Sequence, residues 1–125
     1  MRTVLLIDDS RTARILLSRI FQEIGGWTIM EAENGQIALD KLSQQHAIDL
    51  ACIDWNMPVM NGLDFLKSAK KLTACKNAWM MMVTTETELD NITMAMVAGA
   101  NEYVMKPFTR DMIREKLELM GLAGC

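Results

Sequence analysis

Residues that could do chemistry follow four separate apolar runs of this sequence. They are Asp8 and Asp9 after residues 4–7, Asp54 after residues 50–53, Thr84 after residues 80–83, and Lys106 after residues 103–105. If the runs are parallel strands of one sheet, these groups share an edge, because open α/β sheets bind ligands outside the carboxyl ends of their strands. Three carboxylates, a hydroxyl and an amine at one edge suit a divalent cation beside a phosphoryl group.

The adjacent pair Asp8-Asp9 indicates a cation site. Two carboxylates that leave a buried strand together repel each other and lose solvation, and a hard cation relieves both costs. Magnesium prefers oxygen ligands, commonly one or two carboxylates together with phosphate oxygens. Asp9, Asp54 and a main-chain carbonyl after the third strand are the predicted ligands. Taken alone, Asp8-Asp9 could equally be a polar strand end that caps the next helix, but the register with Asp54 and Lys106 favours the cation.

Asp54 is the predicted nucleophile. A carboxylate can attack phosphorus to form an aspartyl phosphate when the charge of the incoming group is neutralised. Magnesium and Lys106 would neutralise it, and the Thr84 hydroxyl would donate a hydrogen bond to a phosphoryl oxygen. Because phosphoryl transfer depends mainly on positioning and charge neutralisation, no catalytic histidine is required. The single histidine, His46, is expected to be a solvated loop residue.

Alternating strand and helix patterns predict the elements that position these groups. The predicted strands are residues 3–8, 28–33, 49–54, 78–84 and 102–105. The predicted helices carry Ile15, Leu16, Ile20 and Ile24 after an N-cap at Ser10; Ile37, Ala38, Leu39 and Leu42 after a turn at Asn34-Gly35; Leu63, Leu66, Ala69 and Leu72; residues 89–98; and Ile113, Leu117 and Met120 after an N-cap at Thr109. Five βα units with short links predict an α/β fold with a parallel sheet covered by helices on both faces.

Composition bounds the class of protein. The chain has 125 residues, is 50% apolar and carries a net charge of −3, so we expect one domain over residues 1–125 and neither disorder nor a nucleic-acid footprint. No run approaches the about 20 residues of a membrane span, and no signal peptide precedes the first strand, which predicts a cytoplasmic protein. Cys52, Cys75 and Cys125 lack CxxC spacing and are predicted to be free thiols.

Together these motifs resemble the receiver domain of two-component response regulators. The resemblance covers essentially the whole chain and is strongest to the stand-alone, CheY-like chemotaxis type. It is carried by Asp8-Asp9, Asp54-Trp55-Asn56-Met57-Pro58, Asn61-Gly62, Val83-Thr84, Tyr103 and Lys106-Pro107-Phe108-Thr109. It implies a flavodoxin-like, doubly wound (βα)5 fold with a five-stranded parallel sheet of order 2-1-3-4-5. A cis bond before Pro107 would aim the preceding lysine inward.

The resemblance also implies how the acidic residues act. Asp54 would accept a phosphoryl group from a histidine kinase or from a small acyl phosphate. Asp9, Asp54 and the main-chain carbonyl of Asn56 would bind Mg²⁺, with Asp8 acting through water. Asn56 and Glu86 lie two positions beyond Asp54 and Thr84, respectively, and would tune the rate of phosphoaspartate hydrolysis.

A switch is implied by the same resemblance. Thr84 and Lys106 would contact the phosphoryl oxygens, and Tyr103 would turn inward as Thr84 moves toward the phosphate. Phosphorylation adds close to two negative charges and three acceptor oxygens, which a shift of Thr84 can meet. This chain has Thr85 where the family often has a small alanine. The bulkier residue would hinder closure over the phosphate or the path of Tyr103.

An output face formed by helix 4, strand 5 and helix 5 is implied as well. Because the last helix ends near the C-terminus, we expect the signal to leave through the surface of this domain. The partner would be an output protein; a flagellar motor switch, another kinase and a downstream regulator are the open alternatives. Neither nucleic acid nor a membrane is expected as a partner. The chain is expected to be a monomer. The residues of this face are Glu86, Glu88 and Asp90, with an apolar and basic patch of Met105, Phe108, Met112, Ile113 and Lys116. Ordinary packing explains Phe108 and Ile113 equally well.

Three other classes share parts of the pattern. A magnesium-dependent phosphatase of the haloacid dehalogenase type also uses a strand-end aspartate, but it needs a second aspartate where this chain has Asn56. A flavodoxin-like flavin carrier needs a phosphate loop after strand one, where Asp8-Asp9 would repel phosphate. A degenerate receiver would act as an interaction module without phosphorylation, and the intact acidic set argues against it. We therefore predict a signalling protein rather than an enzyme, with only self-phosphorylation and self-dephosphorylation chemistry.

Overall fold

A parallel sheet of five strands forms the centre of the fold. The computed structural model describes residues 1–44 and 47–122, so His46 and Cys125 fall outside the described residues. The strands are β1 (Arg2–Ile7), β2 (Trp27–Ala32), β3 (Leu50–Ile53), β4 (Trp79–Thr84) and β5 (Glu102–Met105). Their order is β2-β1-β3-β4-β5 and every neighbouring pair is parallel. The predicted α/β class and strand order are confirmed.

Residues 1–44 and 47–122 contain five helices, four of which connect successive strands while the fifth follows β5. They are α1 (Arg11–Ile24), α2 (Gly35–Ser43), α3 (Gly62–Ala69), α4 (Leu89–Ala98) and α5 (Arg110–Leu119), and a short 3-10 turn, Thr73–Cys75, follows α3. Among the described residues, no helix is long and apolar enough to cross a membrane. Cys52 and Cys75 are buried free thiols, as predicted.

The sheet separates two apolar cores. Successive strand side chains point to opposite faces, so Leu5 and Ile7 of β1 enter one core and Val4 and Leu6 enter the other. Side chains from α2, α3 and α4 fill the first core, and side chains from α1 and α5 fill the second. Because helices cover both faces, the central strands are apolar at nearly every position.

Side-chain caps begin four of the helices in a common way, including α3, which Asn61 caps. Ser10 caps α1 and Thr109 caps α5, and each hydroxyl accepts a hydrogen bond of 3.2 Å from the main-chain N–H three residues on. Both caps were predicted. Asn34, predicted to form a turn with Gly35, is the N-cap of α2, and its Oδ1 accepts from an N–H in the same way at 2.9 Å. These caps satisfy N–H groups that have no partner inside the helix.

The buried face of α1 differs from the prediction. The sequence pattern placed Ile15 and Leu16 on this face, but they are 39% and 46% exposed. Leu17 and Phe21, one turn apart, are almost fully buried in the second core, and Ala13 continues the same stripe. The helix carries apolar residues on more than one stripe, and only contact with the sheet selects which stripe is buried.

The loop between β3 and α3 holds a β-branched residue in the left-handed backbone region. Val59 has φ 69° and its side chain is 83% exposed. This conformation costs an L-residue with a Cβ about 1–2 kcal/mol, whereas glycine adopts it freely. Because the exposed side chain gains little from packing, the local strain is not offset by burial of the valine.

We expect Val59→Gly to raise the free energy of unfolding by about 1 kcal/mol, since it relieves this conformation. Urea denaturation measures the change. Val97 is a matched control, because it is also 83% exposed but lies in helix α4; Val97→Gly should lower the free energy of unfolding by about 0.5–1 kcal/mol. Equal effects of the two substitutions would refute the assignment of strain to Val59.

Candidate functional site

Two aspartates and a lysine meet at the carboxyl edge of the sheet. Asp8 follows β1 and Asp54 follows β3, and they are 2% and 7% exposed. The Lys106 Nζ lies 2.6 Å from Asp8 Oδ2 and 3.6 Å from Asp54 Oδ2. Carboxylate oxygens of Asp8, Asp9 and Asp54 all lie within 4.8 Å of one another, and the peptide bond between Lys106 and Pro107 is cis. The predicted acidic and basic residues therefore come together.

The ionised form of Asp54 is disfavoured at this edge. Burial is the largest cause that raises the pKa of Asp54, and the charge of Asp8 is the next. The Lys106 ammonium, the Thr84 hydroxyl and the Trp55 main-chain amide act in the opposite direction, but the pKa remains above its ordinary value. The charge of Lys106 thus offsets the effects of burial and of Asp8 only in part, and a further cation would favour the ionised form of Asp54.

Asp8 is held by three separate donors. Its Oδ1 accepts from the Ser10 main-chain N–H at 2.9 Å, and its Oδ2 accepts from Lys106. Its main-chain carbonyl accepts from Arg14 Nη1 at 2.6 Å. Arg14 was not among the predicted site residues. Its burial could have been inferred from its position in α1, because it lies between Ala13 and Leu17 on the stripe that faces the sheet.

The predicted switch residues converge on the main chain of Glu86. Thr84 ends β4 fully buried, and its hydroxyl accepts from the Glu86 N–H at 3.2 Å. The Tyr103 hydroxyl donates to the Glu86 carbonyl at 2.8 Å. Burial, followed by the charges of Glu86 and Asp54, raises the pKa of Tyr103 to about 12. Thr85 is exposed. The loop after β4 therefore contacts both Thr84 and Tyr103.

The loop after β3 folds tightly over Asp54. Gly62 donates its N–H to the Trp55 carbonyl at 2.8 Å. A Cβ at Gly62 would collide with the main-chain oxygen of Asp54, so a side chain here would push the loop away from the site. Asn56, the other predicted residue of this loop, is exposed. Gly62 is thus needed for the close approach of helix α3 to the main chain of Asp54.

The predicted output patch is only partly at the surface. Ile113 is fully buried in the second core, so its prediction as a surface contact was wrong and its packing explanation is confirmed. Phe108 and Met112 are half-buried and pack against the same core. Lys116 pairs with Glu102 at 2.9 Å. The apolar residues of α5 lie on the side that meets the sheet, so charged side chains dominate the outer side of the helix.

The family of the chain follows from a comparison with known proteins. A model described as the response regulator receiver domain matches residues 4–118. The chain belongs to the response regulator receiver domain family. This receiver is 37% identical over 117 residues to the chemotaxis protein CheY1 of Helicobacter pylori, and the match covers 94% of each chain. The protein is thus a two-component response regulator of the CheY-like type, a class of signalling proteins, which is favoured over the haloacid dehalogenase alternative.

Solved structures share the fold of the receiver. Vibrio cholerae CheY4 has a TM-score of 0.87 and 31% identity, and the match covers 95% of this chain and 98% of that one. The response regulator TrrA from Thermotoga maritima, solved in complex with Mg²⁺ and BeF, has a TM-score of 0.82 and 32% identity, with 96% and 99% of the chains covered. The receiver therefore has the flavodoxin-like CheY fold that its sequence predicts.

The acidic cluster of the receiver fits a divalent cation. Ligand oxygens of an octahedral magnesium ion lie about 3–4 Å apart, a spacing that carboxylate oxygens within 4.8 Å of one another can provide. The donors are hard oxygens, and burial together with the charge of Asp8 raises the pKa of Asp54, a cost that a bound cation would offset. Both observations support a cation at Asp8, Asp9 and Asp54.

Proposed function

We propose that the receiver accepts a phosphoryl group on Asp54 and thereby changes the surface that binds an output protein. One observation carries the proposal: Asp54 is a buried carboxylate whose pKa is raised, set between Asp8 and Lys106 at the carboxyl edge of the sheet. A carboxylate in this setting is oriented by its neighbours and gains from any cation that approaches with the donor.

The transfer forms one bond and breaks one. An Asp54 carboxylate oxygen attacks phosphorus, and the P–N bond of a histidine kinase's phosphohistidine, or the P–O bond of a small acyl phosphate, breaks with its electron pair leaving on the donor. Asp9, Asp54 and the Asn56 carbonyl would hold Mg²⁺, and Asp8 would act through water. The ion supplies charge neutralisation on the phosphoryl oxygens. Lys106, whose Nζ lies 3.6 Å from Asp54 Oδ2, supplies a second positive charge.

Thr84 and Lys106 then respond to the new charge. Lys106 Nζ already lies 3.6 Å from Asp54, so phosphoryl oxygens there would compete with Asp8 for its protons. The Thr84 hydroxyl accepts from the Glu86 N–H, and its proton, which favours the ionised form of Asp54 before phosphorylation, would then be donated to a phosphoryl oxygen. Tyr103 is bonded to the Glu86 carbonyl, so a shift of Thr84 and its loop would move the tyrosine as well.

Two further residues would set the lifetime of the phosphoaspartate. Asn56 is exposed and Glu86 is half-buried, and each lies two positions beyond a residue of the site. We place both near the path of the attacking water, where side-chain size and charge would alter hydrolysis. In this proposal the chain catalyses only its own phosphorylation and dephosphorylation.

Chemotaxis is the proposed pathway, because the related protein from Helicobacter pylori is named a chemotaxis protein. A histidine kinase would be the phosphodonor. The output protein, with a flagellar motor switch as the leading candidate, would bind the face formed by α4, β5 and α5. We further propose that residues 1–125 form a single receiver domain that acts as a monomer in the cytoplasm.

The direct test is incubation of the protein with acetyl phosphate and Mg²⁺, followed by mass spectrometry of the intact chain. One added phosphoryl group per chain is expected, and omission of Mg²⁺ should abolish most of the labelling. An unlabelled chain that is folded and binds Mg²⁺ would overturn the proposal.

We expect Asp9→Asn to weaken Mg²⁺ binding by at least about tenfold, because it removes a charged ligand from the cluster. Titration is followed by the main-chain amide signals of Trp55, which neighbours Asp54, and of Ser10. Asp40→Asn is the control: it removes the same charge from an exposed residue of α2. Equal affinities of the two variants would place the cation elsewhere.

A further inference from the structure

A buried arginine lies beside the acidic cluster. Arg14, in the first turn of α1, is only 9% exposed. Its Nη1 donates to the Asp8 main-chain carbonyl at 2.6 Å, and its Nε donates to Glu31 Oε1 at 3.0 Å. A guanidinium carries several donors in a rigid plane, so these two contacts fix its orientation as well as its position.

The carbonyl that Arg14 contacts belongs to the peptide between Asp8 and Asp9. A peptide unit is planar, so holding its oxygen also fixes the direction in which the Asp9 main chain continues. Asp9 is exposed, and within residues 1–44 and 47–122 its carboxylate makes no hydrogen bond or ion pair. The orientation of the Asp9 carboxylate therefore depends on its main chain. Two side chains restrain that main chain: Arg14 holds the Asp8 carbonyl, and the Asp8 carboxylate holds the Ser10 N–H.

The other end of the arginine is anchored to the edge of the sheet. Glu31 belongs to β2, and its main-chain carbonyl accepts from the Lys41 ammonium of α2. Lys41, Glu31 and Arg14 thus connect α2 and β2 to the Asp8 carbonyl. Because these contacts join different elements, Arg14 adds a restraint from tertiary structure to the local hydrogen bond between the Ser10 N–H and Asp8 Oδ1.

We infer that Arg14 is a positioning residue for the cation and phosphoryl site, which acts by orienting Asp9 through the Asp8 carbonyl. The inference rests on the proposed function, since it concerns the cation of that site. An orienting role of Arg14 and a purely electrostatic role predict opposite changes in Mg²⁺ affinity when the side chain is removed. A guanidinium near the cluster repels Mg²⁺, so if Arg14 acted only through its charge, its removal would tighten binding. If Arg14 orients Asp9, its removal weakens binding.

The test compares Arg14→Met with Arg11→Met in Mg²⁺ titrations followed by the main-chain amide signals of Trp55. Both variants remove one arginine charge from the same cleft, but Arg11 is exposed and only Arg14 contacts Asp8. We expect Arg14→Met to weaken binding about tenfold, with Arg11→Met unchanged or slightly tighter. Arg14→Lys, which keeps the charge and one donor, should bind Mg²⁺ with intermediate affinity. Unchanged or tighter binding in Arg14→Met would overturn the inference.

Two further measurements separate positioning from a loss of folding. Saturating Mg²⁺ should restore most of the rate at which acetyl phosphate labels Arg14→Met, because only the affinity for the ion is impaired; a rate that stays low at saturation contradicts the inference. If Arg14→Met does not fold, Glu31→Gln replaces it, with Glu33→Gln as the charge-matched control from the same cleft. Glu31→Gln should weaken Mg²⁺ binding more than Glu33→Gln, and equal effects would overturn the inference.

The wild-type protein distinguishes this inference from the proposed function. If the wild type neither binds Mg²⁺ nor is labelled, the proposed function fails. If the wild type does both and Arg14→Met binds Mg²⁺ equally well, only the positioning role of Arg14 fails.

Discussion

The Asp54→Asn variant should incorporate no phosphoryl group from acetyl phosphate and Mg²⁺ under conditions that label the wild-type receiver fully. An amide oxygen is a far weaker nucleophile than a carboxylate oxygen. Asp8 offers no substitute, because its two carboxylate oxygens already accept from Ser10 and Lys106. Mass spectrometry of the intact chain and of its peptides measures the labelling. Label on Asp9 or elsewhere at the wild-type level would show that Asp54 is not the acceptor.

Stability measurements provide the folding control for Asp54→Asn. The raised pKa of Asp54 means that its ionised form is disfavoured in the folded state. Without Mg²⁺ at neutral pH, Asp54→Asn should therefore be as stable as the wild type or more stable by about 1 kcal/mol, the scale of an incompletely compensated charge contact. This stability advantage of the variant should disappear as the pH falls through the folded-state pKa of Asp54 toward the ordinary value. The wild type then binds a proton at Asp54 and no longer buries a negative charge beside Asp8. A strongly destabilised variant would invalidate the labelling result.

The second large effect concerns Lys106. We expect Lys106→Ala to lower the free energy of unfolding by about 3 kcal/mol in the absence of Mg²⁺, because it leaves two buried carboxylates, Asp8 and Asp54, without their cation. Mg²⁺ should restore about 2.7 kcal/mol when its concentration is 100 times its dissociation constant. Urea denaturation with EDTA and with Mg²⁺ measures both changes.

A surface ion pair is the matched control for the stability effect. Lys116→Ala breaks the ion pair with Glu102. The two side chains of this pair are 30% and 24% exposed and lie away from the acidic cluster. We expect a loss within about 1 kcal/mol and no recovery with Mg²⁺. A similar response of the two lysine variants would contradict the role of Lys106 in the cluster.

The Lys106→Ala variant also tests how phosphorylation of Asp54 affects the switch residues Thr84 and Tyr103. Beryllofluoride with Mg²⁺ should shift the main-chain amide signals of Glu86 and Tyr103 in the wild type, because both contact the loop after β4. In Lys106→Ala these shifts should be largely lost while beryllofluoride still binds Asp54. Wild-type shifts in the variant would show that Lys106 does not couple the phosphoryl group to the switch.

Much of the site could be predicted because its residues follow strands that are buried on both faces. Continuous apolar runs locate such strands in the sequence, and parallel pairing brings their carboxyl ends to one edge. The main-chain bonds from Asp54 to Ile7 and from Lys106 to Thr84 place the chain ends in that register. The order of Asp8, Asp54 and Lys106 along the chain was therefore enough to predict a shared site.

Residue types and their spacing were enough to predict the fold class, the strand order implied by the family motifs and the acidic edge with its lysine. The packing of α1 on the sheet selects which stripe of the helix is buried, so that Arg14 lies against the Asp8 carbonyl while Ile15 is exposed. Packing also places Lys106 closer to Asp8 than to Asp54. The physical reason is that residue type and spacing specify which groups reach an edge, whereas hydrogen bonds and ion pairs change over about 1 Å, and such distances depend on how separate elements pack.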